Sequence, residues 1–396
     1  MTDVHPRSGS FDTIRLLAAL MVLHSHMFAL AGLDQPTLPG GSYGAIAVVI
    51  FFVVSGYWVS RSAVQRSLAA YASARALRIV PGLAVCCAVT VLACALATSL
   101  PVNDYLRHPK TWAYLWNAVP FFHVPVLGMP GVFEDGAVKD APNGSLWTLR
   151  YEVMCYVLVA LAAVFGPKGV RAFVAAAAIF GLAVAAQALG GAFDAINARY
   201  VVLTDFLQVG WIAMFVGAFA FGAWLQEADE RRLRQAIGVS AAAMLLGHHD
   251  ATFAQVISIF LYGSVAVWVG RNLNLDRRVT RGQDISYGVY IYAFPCQQLA
   301  VRWIPEAAGA GFLTYYAVAL GGTVVLAWLS WVLVERPALR LKGPAAGALE
   351  RLTAAVAGRW EVRSGNGGDL AQQAGRPGAL VDPIDADAVL RRSAGH

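Results

Sequence analysis

Apolar stretches of roughly 16 to 24 residues recur along this chain, and each is long enough to cross about 30 Å of hydrocarbon at 1.5 Å per residue. Spans are read near residues 14–33, 44–60, 79–99, 146–165, 172–189, 203–225, 236–247, 251–269, 285–304 and 312–334, the seventh being short. Composition agrees: 58% of the 396 residues are apolar and 14% are charged, against about 25% charged in ordinary soluble domains. The expected fold class is therefore an all-α integral membrane protein, a bundle of about ten transmembrane helices. The first span carries charged residues at its start and has no small-residue cleavage site after it, so it is expected to be a retained helix rather than a signal peptide.

Orientation follows from the basic residues, because cytoplasmic loops retain Lys and Arg. With the N-terminus inside, the inner set holds eighteen of them: Arg7, Arg15, Arg61, Arg66, Arg75, Arg78, Lys168, Arg171, Arg231, Arg232, Arg234, Arg271, Arg277, Arg278, Arg281, Arg336, Arg340 and Lys342. The outer set holds five: Arg107, Lys110, Lys139, Arg199 and Arg302. Both termini are accordingly expected in the cytoplasm, and the net charge of +6 needs no nucleic-acid partner. The five cysteines, Cys86, Cys87, Cys94, Cys155 and Cys296, lie in or beside apolar spans without metal-ligand spacing, which indicates core packing rather than a disulfide framework or a zinc site.

Residues 1–342 are expected to form the transmembrane domain. Residues 343–396, where Ala, Gly, Asp and Arg alternate without helical periodicity, are expected to be a disordered cytoplasmic tail. A long outer loop from about Leu100 to Ser145 carries Trp112, Trp116, Phe121, Phe122 and His123. An aromatic loop there either covers a cavity or touches a sugar, or it forms part of an interfacial aromatic belt.

Arg15 and His26 stand eleven residues apart in the first span. Eleven steps of about 100° return them to within roughly 20° of one helical face, about 16 Å apart along the axis. His24 points the other way. An ionisable residue as deep as His26 faces a bundle interior or a wet cavity by default, although a neutral histidine also serves as packing. Glu152 lies about two turns inside the fourth span and should be paired with Arg150, with another helix or with a proton; alternatively it is an interhelical polar clamp. Arg75 and Arg78, one turn apart, form with Arg61 and Arg66 a cytosol-facing basic cluster suited to phosphate oxygens and equally to lipid headgroups. His248, His249 and Asp250 read as a solvated turn, and Ser55 with Gly56 as small-residue packing between the first helices.

Together these residues resemble the acyltransferase-3 family of membrane O-acyltransferases, which includes O-antigen and Nod-factor O-acetylases. The resemblance covers about residues 10–342 and rests on five segments in order: Phe11 to His26, Val49 to Tyr57, Arg75 to Pro81, Asn143 to Tyr156 and Ile285 to Pro295. A closing Val334-Glu335-Arg336-Pro337 matches the end of the family's final helix.

The resemblance implies an enzyme that moves an acyl group, most often acetyl, from cytoplasmic acyl-CoA to a hydroxyl of a cell-surface or lipid-linked glycan. That enzyme would sit in the bacterial cytoplasmic (inner) membrane among its lipids, and would hold no metal and no permanently bound cofactor. By the same resemblance, His26 and Arg15 fall on the family's essential pair, Glu152 on its acidic position, and Arg75 with Arg78 on its Arg-x-x-Arg pair. His26 is then the expected general base or acyl relay, Arg15, Arg75 and Arg78 hold the CoA phosphates, and Glu152 orients or protonates the histidine or the acceptor. Arg150 departs from relatives that carry Pro or another residue there. The fused outer hydrolase-like domain of longer relatives is not read in this sequence, which leaves acceptor selection to loops and helices. The rival reading is a polytopic transporter in which the same buried polar groups line a permeation path, and a third is a non-catalytic scaffold.

Overall fold

A computed structural model describes residues 9–120, 126–189 and 208–355, and the regular secondary structure over them is almost entirely helical. The long helices are α1 (Phe11–Leu30), α2 (Tyr43–Gln65), α3 (Leu68–Cys94), α6 (Leu149–Ala163), α7 (Gly166–Leu189), α8 (Val209–Glu227), α9 (Glu230–Gly247), α10 (Ala251–Asn272), α11 (Ser286–Trp303) and α12 (Phe312–Ser330). Two short helices, α4 (Val102–Arg107) and α5 (Pro109–Ala113), build the loop after α3. The strands among the described residues are a two-residue antiparallel pair, Thr37–Leu38 with Gly41–Ser42.

Each of the ten expected spans overlaps one of these long helices, residues 203–207 of the sixth lying outside the described residues. Eight are long and apolar enough to cross a membrane: α1, α2, α3, α6 with the 3-10 turn before it, α7, α8, α10, and α12 with its continuation to Arg340. The other two miss that standard for opposite reasons. α9 opens on Glu230, Arg231, Arg232 and Arg234, while α11 carries Ser286, Gln297 and Gln298 buried inside the bundle. There Gln297 Nε2 donates to the Leu23 carbonyl at 2.7 Å and Gln298 Nε2 to Val138 and Ala141 carbonyls.

Helix ends are fixed by side-chain caps. Ser42, Ser67, Asp229 and Asp250 accept backbone N–H bonds at the starts of α2, α3, α9 and α10, satisfying donors that have no partner within the helix. For α1 the cap comes from across the fold: Asp276 Oδ1 accepts from Thr13 N and Thr13 Oγ1, both at 2.7 Å, and Oδ2 from Asp12 N at 3.3 Å.

α2 is the central helix, packing against α1, α6, α8 and α10. It meets α8 closely because two glycines cross. A Cβ on Gly56 would stand 1.9 Å from the Phe219 carbonyl oxygen, and one on Gly222 would stand 2.0 Å from that of Val53. Small residues let helix backbones approach in this way. Gly56 is thus a packing residue, but its partner is α8 and not the first helix.

α11 packs on α1 and α12 and contains Pro295. A proline cannot donate to the carbonyl four residues earlier, and that carbonyl, Ile291, accepts instead from Asn143 Nδ2 at 2.7 Å and Cys86 Sγ at 3.2 Å. The missing helix bond thereby ties α11 to α3 and to the start of the Asn143–Tyr156 segment. α12 ends in a π-helical turn, Trp331–Glu335, before α13 (Arg336–Arg340).

All five cysteines are free thiols, four of them buried. The tail boundary expected at residue 343 falls within a helical segment over 342–355. Contacts divide the chain into Met1–Ala346 and Gly347–His396, and residues 356–396 lie outside the described residues.

Candidate active site

Two cavities adjoin inside the bundle. The larger, about 1070 Å³, opens among the start of α1, the end of α2, the starts of α3 and α6, the loop before α11 and the residues after α12. Eight cations line it (Arg15, Arg61, Arg66, Arg75, Arg78, Arg277, Arg281 and Lys342) against four carboxylates (Asp12, Glu152, Asp276 and Asp284). The excess of positive charge suits a polyanion.

Arg15 and Arg78 are held in place by acids. Arg78 Nη2 pairs with Asp284 Oδ2 at 2.7 Å, and the same oxygen receives Arg15 Nη1 at 3.1 Å. Arg15 also reaches Asp12 at 2.9 Å, and Arg78 lies 3.6 Å from the buried Glu335 carboxylate. Arg75 is placed otherwise. Its guanidinium lies over the Tyr156 ring, 5.7 Å from the centroid, and its buried Nε has no hydrogen-bond partner. Arg61, Arg66, Arg277 and Arg281 reach the cavity from exposed positions. Arg281 sits at φ 51° before Gly282 at φ 78°, a left-handed conformation that costs a non-glycine residue roughly 1–2 kcal/mol.

Glu152 faces this same cavity, where its Oε1 accepts from Tyr156 OH in a short hydrogen bond and from Ser55 Oγ at 3.3 Å. Arg150, one of the partners expected for it, lies over the Tyr151 ring. Ser55 therefore contributes a polar contact to the cavity rather than a packing contact between the first helices.

His26 lies in the second, smaller cavity of about 180 Å³, together with Gln35, Ser42, Ser145, Trp147, Thr148 and Trp211. Its ring meets Phe294 edge-on at 5.2 Å, and its Nδ1 is buried without a hydrogen bond. Nε2 is consequently the nitrogen available to the cavity. Trp147 and Trp211 stand 4.9 Å apart at a steep angle, and Trp211 stacks on Phe215. Flat aromatic faces beside Gln35 and Ser42 offer a sugar both a stacking surface and hydrogen-bonding groups. His24 turns toward α12, its Nδ1 3.0 Å from Tyr316 OH.

Arg15, Arg75, Arg78 and Glu152 therefore share one cavity, while His26 occupies the other. Three residues, Val48, Thr148 and Tyr290, line both.

Sequence reasoning missed Asp284 and Asp276, which organise the arginines and cap α1; the only local signal is an acidic residue just before the Ile285–Pro295 segment. It also missed Trp147 and Trp211. Trp112 and Trp116 of the outer loop line neither cavity and are 47% and 65% exposed, and Phe121, Phe122 and His123 lie outside the described residues. His248 and His249 are exposed with their rings 3.9 Å apart and tilted to one another, Asp250 caps α10, and no cluster of metal-binding side chains occurs among the described residues.

A family model described as an acyltransferase domain matches residues 8–332. The chain is 28% identical over 348 residues to an O-acetyl transferase of Shigella phage Sf6, covering 85% of this chain and 98% of that protein. It is 30% identical over 372 residues to nodulation protein 10 of Rhizobium leguminosarum bv. viciae, covering 84% of this chain and 94% of that protein. No solved structure matches it.

Proposed function

The chain belongs to the acyltransferase-3 family, and from that premise we propose that it transfers an acyl group, acetyl in the first instance, from acyl-CoA to a hydroxyl of a cell-surface or lipid-linked glycan. The observation that carries this reading is the pair of adjoining cavities, one basic and roomy, the other holding His26 beside tryptophans. A nucleotide donor with several phosphates needs the first, and a sugar hydroxyl needs the second.

In this reading Arg75, Arg61, Arg66, Arg277 and Arg281 bind the donor's phosphates, Arg being suited to them by its planar fork of N–H groups. Arg15 and Arg78, braced by Asp284, fix the inner wall. The acceptor hydroxyl attacks the thioester carbonyl carbon; its C–O bond forms as the C–S bond breaks. His26 Nε2 takes the hydroxyl proton and returns it to the departing thiolate, so that no net proton is consumed. Glu152, which lines the basic cavity and accepts from Tyr156 and Ser55, shapes the donor site in this reading.

The basic cavity is assigned to the cytoplasmic face, with ten crossings and both termini inside, in a bacterial inner membrane. The distribution of eighteen inner against five outer basic residues supports that orientation, and the relatives from a Shigella phage and a Rhizobium support a bacterial setting. α9 and α11 would complete the ten, α11 as a polar helix shielded by the bundle.

Purified protein in lipid vesicles, supplied with radiolabelled acetyl-CoA and a bacterial lipid-linked saccharide, tests the reading. Label should pass to the saccharide with release of free CoA. Solute passage across the vesicle wall with acetyl-CoA left intact would instead establish a transporter.

A further inference from the structure

The contact between the two cavities runs through Val48 on α2, Thr148 in the 3-10 turn Gly144–Thr148 and Tyr290 on α11, which line both. Their side chains have little room to retreat. Tyr290 OH is 2.5 Å from Thr148 Oγ1 and donates to the Ser145 carbonyl at 3.0 Å, while its ring packs edge-on against Phe51 at 5.6 Å. Tyr290 is 7% exposed and Thr148 4%. Val48 is β-branched, and in a helix such a side chain keeps essentially one rotamer.

We infer that Val48, Thr148 and Tyr290 form a rigid throat that gauges the acyl chain, admitting acetyl and refusing longer groups. The inference rests on the acyl-transfer reading. At the moment of transfer the thioester carbon must lie between a sulfur in the basic cavity and a hydroxyl in the His26 cavity, and so within this throat. The methyl of an acetyl group lies against its wall, and every further methylene of a longer chain must push that wall back. Close-packed walls resist such insertion. Discrimination by one methylene in an apolar site reaches roughly 10- to 200-fold.

Transfer rates with acetyl-, propionyl-, butyryl- and hexanoyl-CoA test this in the wild type, Val48→Ala and Thr148→Ser, the last keeping the hydroxyl and removing only a methyl. The quantity read is the ratio of butyryl to acetyl transfer within one preparation, which a reduced folded fraction does not alter. The wild type should fall at least about tenfold per added methylene, and the ratio should rise at least about tenfold in Val48→Ala, with a smaller rise in Thr148→Ser. A wild type indifferent to chain length, or an unchanged ratio in both variants, overturns the throat while leaving acyl transfer intact. A wild type that consumes no acyl-CoA overturns both.

Discussion

Arg78 and Arg15 meet on a single carboxylate oxygen, Oδ2 of Asp284, at 2.7 and 3.1 Å. Removing one partner from a partly buried ionic cluster leaves uncompensated charge, a loss of about 3–5 kcal/mol for a buried pair. Asp284→Ala should lower the thermal unfolding midpoint of the detergent-solubilised protein markedly, and Asp284→Asn, which keeps an acceptor, by less. Equal midpoints for all three proteins would remove Asp284 from the framework.

The location of the helices was legible because a membrane span is a property of local composition, and each apolar stretch overlaps a long helix. Register put Arg15 and His26 on one face of α1, and the resemblance grouped Arg15 with Arg75 and Arg78, but neither put Glu152 in the cavity of the arginines. Register says which way a side chain points but not which helix it meets. Glu152 therefore turned out to face the arginines, in a cavity different from that of His26, and Gly56 met α8. Asp284 and Asp276 act on residues more than 200 positions away, a relation that local pattern does not carry. Trp147 stood within a recognised segment, but its partner Trp211 comes from another helix.

The crossing of α2 and α8 leaves no space at Gly56. Gly56→Ala would put a methyl within 1.9 Å of the Phe219 carbonyl oxygen, and overpacking of this kind costs about 1–3 kcal/mol or more. The variant should unfold at lower temperature or insert poorly. By contrast Gly217→Ala, where a Cβ meets nothing within 4 Å, should behave as the wild type in the same unfolding assay.

Arg281 combines a strained backbone with a place in the basic cavity. Arg281→Gly relieves a cost of roughly 1 kcal/mol and removes one cation, so the protein should become slightly more stable while binding acetyl-CoA several-fold more weakly. The affinity difference should shrink as salt rises, because screening weakens exposed charge interactions. Calorimetric titration at two ionic strengths alongside thermal unfolding reads both effects, and unchanged affinity at low salt would take Arg281 out of the donor site.

Trp147 belongs to the His26 cavity alone. Trp147→Ala should raise the KM for the saccharide by roughly three- to tenfold, from an aromatic contribution of about 0.5–1.5 kcal/mol beyond area burial, with the KM for acetyl-CoA unchanged. A rise in the donor KM instead would assign the tryptophans to the wrong substrate.

The division of labour between the cavities is tested most directly by measuring acetyl-CoA binding and acetyl transfer together in His26→Ala protein reconstituted in vesicles. The account predicts wild-type affinity for acetyl-CoA with transfer to the saccharide reduced by about 10²–10⁴, the usual contribution of a positioned base. Transfer at the wild-type rate by His26→Ala protein would contradict it.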